Sequence, residues 1–363
     1  MSDYSKHLSL RKRLALSLEA RLQERKIGEH RLRTLFWECT LRCNLSCRHC
    51  GSDCTCEPAF KDMPAADFLR VLDRSVTPFN DPHKVFIVLS GGEVLLRRDL
   101  EKIGLELYKR EYPWGFVTNG LALDRRRFEA LLDSGLHSMT VSLDGFAEHH
   151  MHIRRNPQSF DRAVEAVRMA AAEQSIAFDV VTCATPALLP HLDEFKEFLI
   201  SLGLKHWRIF TIFPSGRAAG DATLMLSGEQ LKVLFDFIAR TRKEGRIGLN
   251  YGCEGFLGGY EAEVRDSFYE CRAGVDTASV RIDGSISGCT SIRADYSQGN
   301  IYTDDFHEVW ERRFEPFRNR EWMRKDACAA CGMFRYCRGG GMHLRDGEGR
   351  LNSCSYLKLC GKE

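Results

Sequence analysis

No run of apolar residues in this chain approaches the roughly 18 needed to cross a membrane. The opening stretch MSDYSKHLSLRKRLALSLEA also lacks the unbroken apolar core of a signal peptide, because charges fall throughout it. These two absences predict a cytoplasmic protein with no transmembrane segment. Charge imbalance is equally scarce. The formal net charge is +2, which offers no bulk attraction to nucleic acid. Internal repeats and disordered tracts are missing too. What remains is an ordinary globular composition, 363 residues with 44% hydrophobic and 28% charged, enough for one large domain or two ordinary ones.

Cysteine is abundant. The chain has 15, grouped in two zones, 39–56 and 253–360, with only Cys183 between them. In a small secreted chain that count would suggest disulfides; in a large chain with no signal peptide it points to metal or redox work. An odd number also argues against complete pairing. Cys43, Cys47 and Cys50 are spaced C-x3-C-x2-C. Thiolates so spaced can wrap one face of an iron–sulfur cube and leave one iron open to a small molecule. A zinc knuckle completed by Cys54 or Cys56, or a group of inert core thiols, satisfies the same spacing. Further on, Cys328, Cys331 and Cys337, with Cys354 beyond them, can enclose a second cluster or a zinc ion. Cys271 and Cys289, with Cys253 upstream, make a further set.

Residues 5–33 read as a basic amphipathic helix whose leucines form an apolar side, packed on the domain or offered to an acidic peptide or membrane. From about 33 to 213, six short apolar runs alternate with five helical patterns. The strand candidates are 33–38, 84–89, 114–118, 138–143, 177–182 and 207–213. Repeated β-then-α units predict a parallel sheet, as a partial β/α barrel or a doubly wound sheet, with working residues at strand C-termini. The cysteine loop, Ser90-Gly91-Gly92-Glu93, Thr118-Asn119-Gly120 and Asp144 all fall at such ends. A helix near 227–244 opens with the capping box Ser227-x-x-Gln230. A hairpin turns at Asp283-Gly284. The expected domains are an N-terminal helix, 1–33, an α/β unit, 34–245, and a Gly-, Cys- and Arg-rich unit, 246–363.

Taken together, these motifs resemble the radical S-adenosylmethionine (SAM) superfamily, in the branch with a C-terminal SPASM domain. Cys43-x3-Cys47-x2-Cys50 is similar to its cluster motif, and Ser90-Gly91-Gly92-Glu93 to its SAM-binding GGE motif. Asp144-Gly145 followed by His150 and Arg154 is similar to the SLDG…H…R segment. Cys271-x12-Gly284-x4-Cys289 and Cys328-x2-Cys331-x5-Cys337…Cys354 are similar to the SPASM signature. Three positions depart from the pattern. Val94 stands where proline is usual, His49 where an aromatic ring is common, and Gly341 where the signature has a further cysteine.

The resemblance implies a partial (β/α)6 barrel followed by a cysteine-rich domain. It implies a 4Fe-4S cluster on Cys43, Cys47 and Cys50 that binds and reductively cleaves SAM. His49, Ser90, Gly91, Gly92, Glu93, Asn119, Ser142, Asp144 and Arg154 would then hold SAM, His49 stacking on adenine and Arg154 meeting the carboxylate. It further implies one or two auxiliary clusters, the first on Cys253, Cys271 and Cys289 and the second on Cys328, Cys331, Cys337 and Cys354. The missing cysteine at 341 leaves the first with an open iron, a ligand from elsewhere, or no cluster. The implied substrate is a peptide or protein, the product a thioether or carbon–carbon crosslink or an oxidised side chain, and the electron donor flavodoxin or ferredoxin. Residues 1–33 are short for a peptide-recognition domain, so recognition is expected from a separate protein, from the basic helix or from the barrel itself. The competing expectations are a radical SAM enzyme acting on a small metabolite, and a non-catalytic iron–sulfur or zinc protein.

Overall fold

A computed structural model describes residues 8–252 and 254–362. In strand β1 (Thr34–Thr40), Leu35, Trp37 and Cys39 are fully buried, and the Trp37 ring stacks on Phe68 at 4.5 Å between centroids. Thr34 and Phe36 point the other way. The same period of two runs through β2 (Phe86–Gly91), β3 (Trp114–Thr118), β4 (Leu136–Ser142), β5 (Ala177–Ala184), β6 (His206–Thr211) and β7 (Gly248–Tyr251). One face therefore packs against helices through Ile87, Leu89, Met139, Val141, Val180, Trp207 and Ile209, all completely buried. In chain order, the helices through residue 244 are α1 (Leu10–Glu29), which lies apart against the C-terminal region, α2 (Ala65–Val71), α3 (Leu100–Lys109), α4 (Arg125–Asp133), α5 (Ala147–Arg154), α6 (Ser159–Ala171), α7 (Leu192–Ser201) and α8 (Gly228–Glu244).

Strands β1 to β7 pair in sequence order and in parallel. An order without reversal is a barrel-type winding; a doubly wound sheet needs a switch point. The barrel is open, since β7 forms one edge and no described strand pairs across it. At the other side the sheet continues into β8 (Thr277–Val280), parallel to β1, then β9 (Ser285–Ser287) and β10 (Gly299–Asn300), both antiparallel to their neighbours. Gly284, at φ 84°, turns the β8–β9 hairpin where Asp283-Gly284 was expected to. The capping box of α8 forms as its sequence predicts.

The inner face lines a cavity of about 820 Å³ with Phe36, Val88, Val117, Thr140 and Arg208 among its walls. It occupies the N-terminal half of the barrel and touches none of the candidate site residues, all of which lie at or beyond the strand C-termini. No helix among the described residues is long and apolar enough to cross a membrane.

The N-terminal helix corrects the sequence reading. Leu8 and Leu16 are buried, but Leu10, Leu14, Leu18 and Leu22 are exposed, so the leucine side is not the packed one. The helix docks through Leu16, which with Leu8 joins an apolar cluster of Phe256, Tyr269 and Tyr336, and through polar groups. The Lys12 ammonium donates to the carbonyls of Gly259 and Glu261 and to Glu263, and buried Gln23 donates to the Tyr269 carbonyl at 2.9 Å.

Candidate radical and cluster sites

The loop after β1 carries Cys43, Cys47 and Cys50, and hydrogen bonds hold it from three sides. Cys43 N–H donates to the Thr55 carbonyl, and Arg48 N–H to Ile153 at the end of α5. Arg217 clasps it from beyond β6. Its Nε donates to the Cys47 carbonyl at 2.8 Å, its backbone N–H to Cys50 at 3.0 Å and its Nη1 to Cys54 at 3.1 Å. The three thiols lie close enough to interact electrostatically. Burial pushes Cys43 up to about 12, while a hydrogen bond from Cys54 brings Cys50 down to about 5.

Ser90-Gly91-Gly92-Glu93 is stitched to this loop. Gly92 N–H donates to the Thr40 carbonyl and Glu93 N–H to that of Arg42, both at 2.8 Å. The two glycines are sterically required. A Cβ on Gly91 would collide with the Thr40 carbonyl, and one on Gly92 with that of Arg42; Gly91 also sits at φ 121°. Glu93 is buried and fixes the end of β3. Its Oε1 accepts from the Thr118 hydroxyl (2.7 Å) and Leu95 N–H (3.1 Å), and its Oε2 from Asn119 N–H (2.8 Å). Burial, opposed by these donors, raises its pKa above the usual range. Asn119 in turn donates through Nδ2 to Asn44 in the cysteine loop, at 2.8 Å. Ser90 Oγ donates to Thr290 Oγ1 at 3.4 Å, linking this turn to the residue after Cys289.

Asp144 follows β4 and is completely buried. Its Oδ2 accepts from Arg154 Nε at 2.6 Å and its Oδ1 from Cys183 N–H at 2.8 Å. Burial alone would raise its pKa; Arg154, with His49 and His150, brings it down to about 2. The Arg154 Nη1 reaches Cys47 Sγ at 3.7 Å, so one guanidinium joins Asp144 to the cysteine loop. His150 Nδ1 accepts from Asp144 N–H at 3.1 Å, and burial keeps the ring neutral, near pKa 4. Ser142 is buried at the end of β4. His49 Nδ1 and His150 Nε2 are buried polar atoms without a partner among the described residues. Such atoms are costly unless a ligand meets them, so they fit a site that binds a polar small molecule.

The second cysteine zone forms two groups. Cys328, Cys331, Cys337 and Cys354 line one cavity walled by Phe256, Met333 and Phe334. Arg345 Nη2 donates to Cys328 Sγ at 3.3 Å and Gly339 N–H points at Cys337. Donors aimed at sulfur suit thiolate ligands. No three His, Cys, Asp or Glu side chains among the described residues lie close enough to hold a single metal ion. Four sulfurs around one cavity are a donor set that suits an iron–sulfur cluster or a tetrahedral zinc. In the other group, Cys271 and Cys289 interact electrostatically across the β8–β9 hairpin. The Arg320 guanidinium and the N–H groups of Met342 and Ala273 outweigh burial and lower the Cys271 pKa. Cys253, the third residue assigned to this group, lies outside the described residues.

Several contributors escaped the sequence reading. Asn44 and Arg217 hold the cysteine loop, and Cys183 presents its N–H to Asp144. Helix α5 carries His150 and Arg154, yet AEHHMHIR shows no apolar period. Only its position after an Asp-Gly turn hints at it.

Comparisons with known proteins agree with this arrangement. The model of the radical SAM superfamily matches residues 37–208, and that of the SPASM iron–sulfur cluster-binding domain matches 271–332. The AdoMet-dependent heme synthase of Oleidesulfovibrio alaskensis is 24% identical over 361 residues, covering 92% of this chain and 83% of its own length. The mycofactocin maturase MftC of Mycolicibacterium smegmatis is 29% identical over 321 residues, covering 85% and 77%. Among solved structures, Streptococcus suis SuiB bound to S-adenosylmethionine superposes with a TM-score of 0.68 at 17% identity, over 90% of this chain and 79% of that one. The anSMEcpe structure with bound AdoMet gives 0.69 at 20% identity, over 91% and 95%. With its cluster loop, its open parallel sheet and its second cysteine zone, the chain carries a radical SAM domain over residues 37–208 and a C-terminal SPASM domain over 271–332, with the 4Fe-4S and auxiliary clusters those domains imply.

Proposed function

We propose that this radical SAM enzyme removes a hydrogen atom from a peptide or protein and leaves it oxidised, as a thioether or carbon–carbon crosslink. One observation carries the reading: the Cys43–Cys50 loop, the Ser90–Glu93 turn and the Asp144–Arg154 pair are hydrogen-bonded together at one end of the sheet. A reduced cluster with SAM bound there would supply a 5′-deoxyadenosyl radical. In this proposal Cys43, Cys47 and Cys50 ligate that cluster. Glu93 has accepted two donors on Oε1 and one on Oε2, which leaves Oε2 able to take the ammonium of SAM. Arg154 spends Nε on Asp144 and Nη1 on Cys47, leaving Nη2 for the carboxylate. His49 would stack on adenine, and Ser90, Asn119, Ser142 and Asp144 would border the nucleoside.

An oxidised product requires an electron to leave. The Ser90–Thr290 contact supports a route from the radical site to Cys289 and the auxiliary clusters. Flavodoxin or ferredoxin is the proposed reductant, with a separate recognition protein as a further partner. The peptide reading is supported by SuiB, solved with its precursor peptide SuiA, and by anSMEcpe, solved with a Cp18Cys peptide. The heme synthase relatives favour a second reading, a small-metabolite substrate.

The test is SAM cleavage by the reduced protein, read as 5′-deoxyadenosine. Cys47→Ala should abolish it; equal product from that variant would refute the site. A peptide encoded beside the gene should lose two hydrogens by mass spectrometry. Turnover of a tetrapyrrole, with the peptide unchanged, would instead decide for the metabolite.

A further inference from the structure

Gly341 occupies the position where the signature has a cysteine, yet its backbone needs no glycine: φ is −71° and ψ 135°. What excludes a side chain there is a neighbour. A Cβ on Gly341 would lie 2.7 Å from Cε1 and 2.9 Å from Nδ1 of His343. The imidazole thus fills the volume into which a side chain at 341 would project. The intervening residue, Met342, directs its N–H at the Cys271 sulfur. Arg320 ties the same turn down, since it reaches the Gly340 carbonyl with Nη1 at 3.4 Å and the Cys271 carbonyl with Nη2 at 3.1 Å. Three left-handed residues, Arg338, Gly339 and Gly340 at φ 49°, 86° and 81°, bring the chain into this position straight after Cys337.

The imidazole has no hydrogen bond or ion pair among the described residues. Its one ring contact is Phe213, at 4.7 Å between centroids, in the loop after β6. This part-buried imidazole occupies the space of the signature cysteine and follows directly on the residue whose N–H meets the Cys271 sulfur, and neutral imidazole binds iron through a ring nitrogen. We infer that His343 ligates the auxiliary cluster held by Cys271 and Cys289, in the coordination position left open by Gly341. A neutral imidazole in place of a thiolate removes one negative charge from the cluster and raises its reduction potential, as histidine-for-cysteine replacement does in two-iron clusters. The cluster nearest the Ser90 turn would then be the better electron acceptor of the two in this domain.

The inference rests on the assignment of an auxiliary cluster to Cys271 and Cys289, and the experiment separates the two. The full-length Cys43→Ala/Cys47→Ala/Cys50→Ala protein, reconstituted without oxygen, retains only auxiliary clusters. Its iron and sulfide are counted, and its reduced state is examined by pulsed electron paramagnetic resonance with unlabelled and with ¹⁵N-histidine-labelled protein. The expected result is a strong nitrogen coupling that changes isotope with the histidine label. His343→Cys should keep the iron, lose that coupling and move the midpoint potential lower. His343→Ala should lose iron, and Gly341→Cys added to it should restore the iron. Full auxiliary iron without a histidine coupling overturns His343 as ligand, as does a coupling that survives His343→Cys. Iron for a single auxiliary cluster, unaltered by Cys271→Ala, overturns the underlying cluster assignment.

Discussion

The buried pair of Asp144 and Arg154 offers the sharpest test of how the site is held. Asp144→Asn keeps the shape of the side chain and removes its charge. Wild-type Asp144 accepts one N–H on each oxygen, from Arg154 and from Cys183. An asparagine can accept on one side only, so its NH₂ must face one of those donors. Arg154 also loses its counter-charge while remaining buried. Removing one partner of a buried ion pair costs about 3–5 kcal/mol, against a typical domain stability of about 5–15 kcal/mol. Replacing both partners is far milder, because no uncompensated charge remains. The assay is a double-mutant cycle of Asp144→Asn and Arg154→Met, by urea unfolding of the metal-free chain followed by circular dichroism. The expected coupling is at least about 2 kcal/mol, with the double variant more stable than Asp144→Asn alone. The acid limb supplies a second reading. Against burial, which would raise it, the Arg154 guanidinium holds the Asp144 pKa down at about 2, below its ordinary value of 3.8. Its contribution is therefore complete above about 4 and is lost as pH falls toward 2. Additive single-variant effects, together with an unchanged acid limb in Asp144→Asn, would refute the argument.

Three further outcomes follow from the geometry. Gly92→Ala drives a Cβ into the Arg42 carbonyl, so 5′-deoxyadenosine formation should disappear while auxiliary iron persists. Cys328→Ala should remove roughly four irons, one cubane, and leave SAM cleavage measurable, since that cavity contains none of the SAM-site residues. Gln23→Ala leaves the Tyr269 carbonyl without this buried donor, a loss of about 1–3 kcal/mol; limited proteolysis should then release α1 sooner than in wild type.

Much of the barrel was legible because its strands are short, apolar on one face and separated by helical periods. The six strand candidates all form, each displaced by no more than a few residues. Strand β7 was missed because Gly248–Tyr251 has only two buried residues, Leu249 and Tyr251. The N-terminal helix was found but turned the wrong way, since leucine spacing reports a stripe and not which neighbour lies beneath it. Docking by Leu16, Lys12 and Gln23 together overrode the stripe.

The sequence by itself determined which groups are on offer for the proposed chemistry. Three thiols on a short loop, two adjacent glycines and four later cysteines are covalent facts, and their spacing limits what they can enclose. Tertiary structure decided how those groups are connected. Only parallel pairing of β1 with β2 reveals that Gly91 and Gly92 are needed to let the cysteine loop approach. Only burial commits Arg154 to Asp144 and Cys47 at once. Only the fold of the 338–343 turn places an imidazole in the space of the missing cysteine, because that contact depends on backbone angles and neighbours that no spacing encodes.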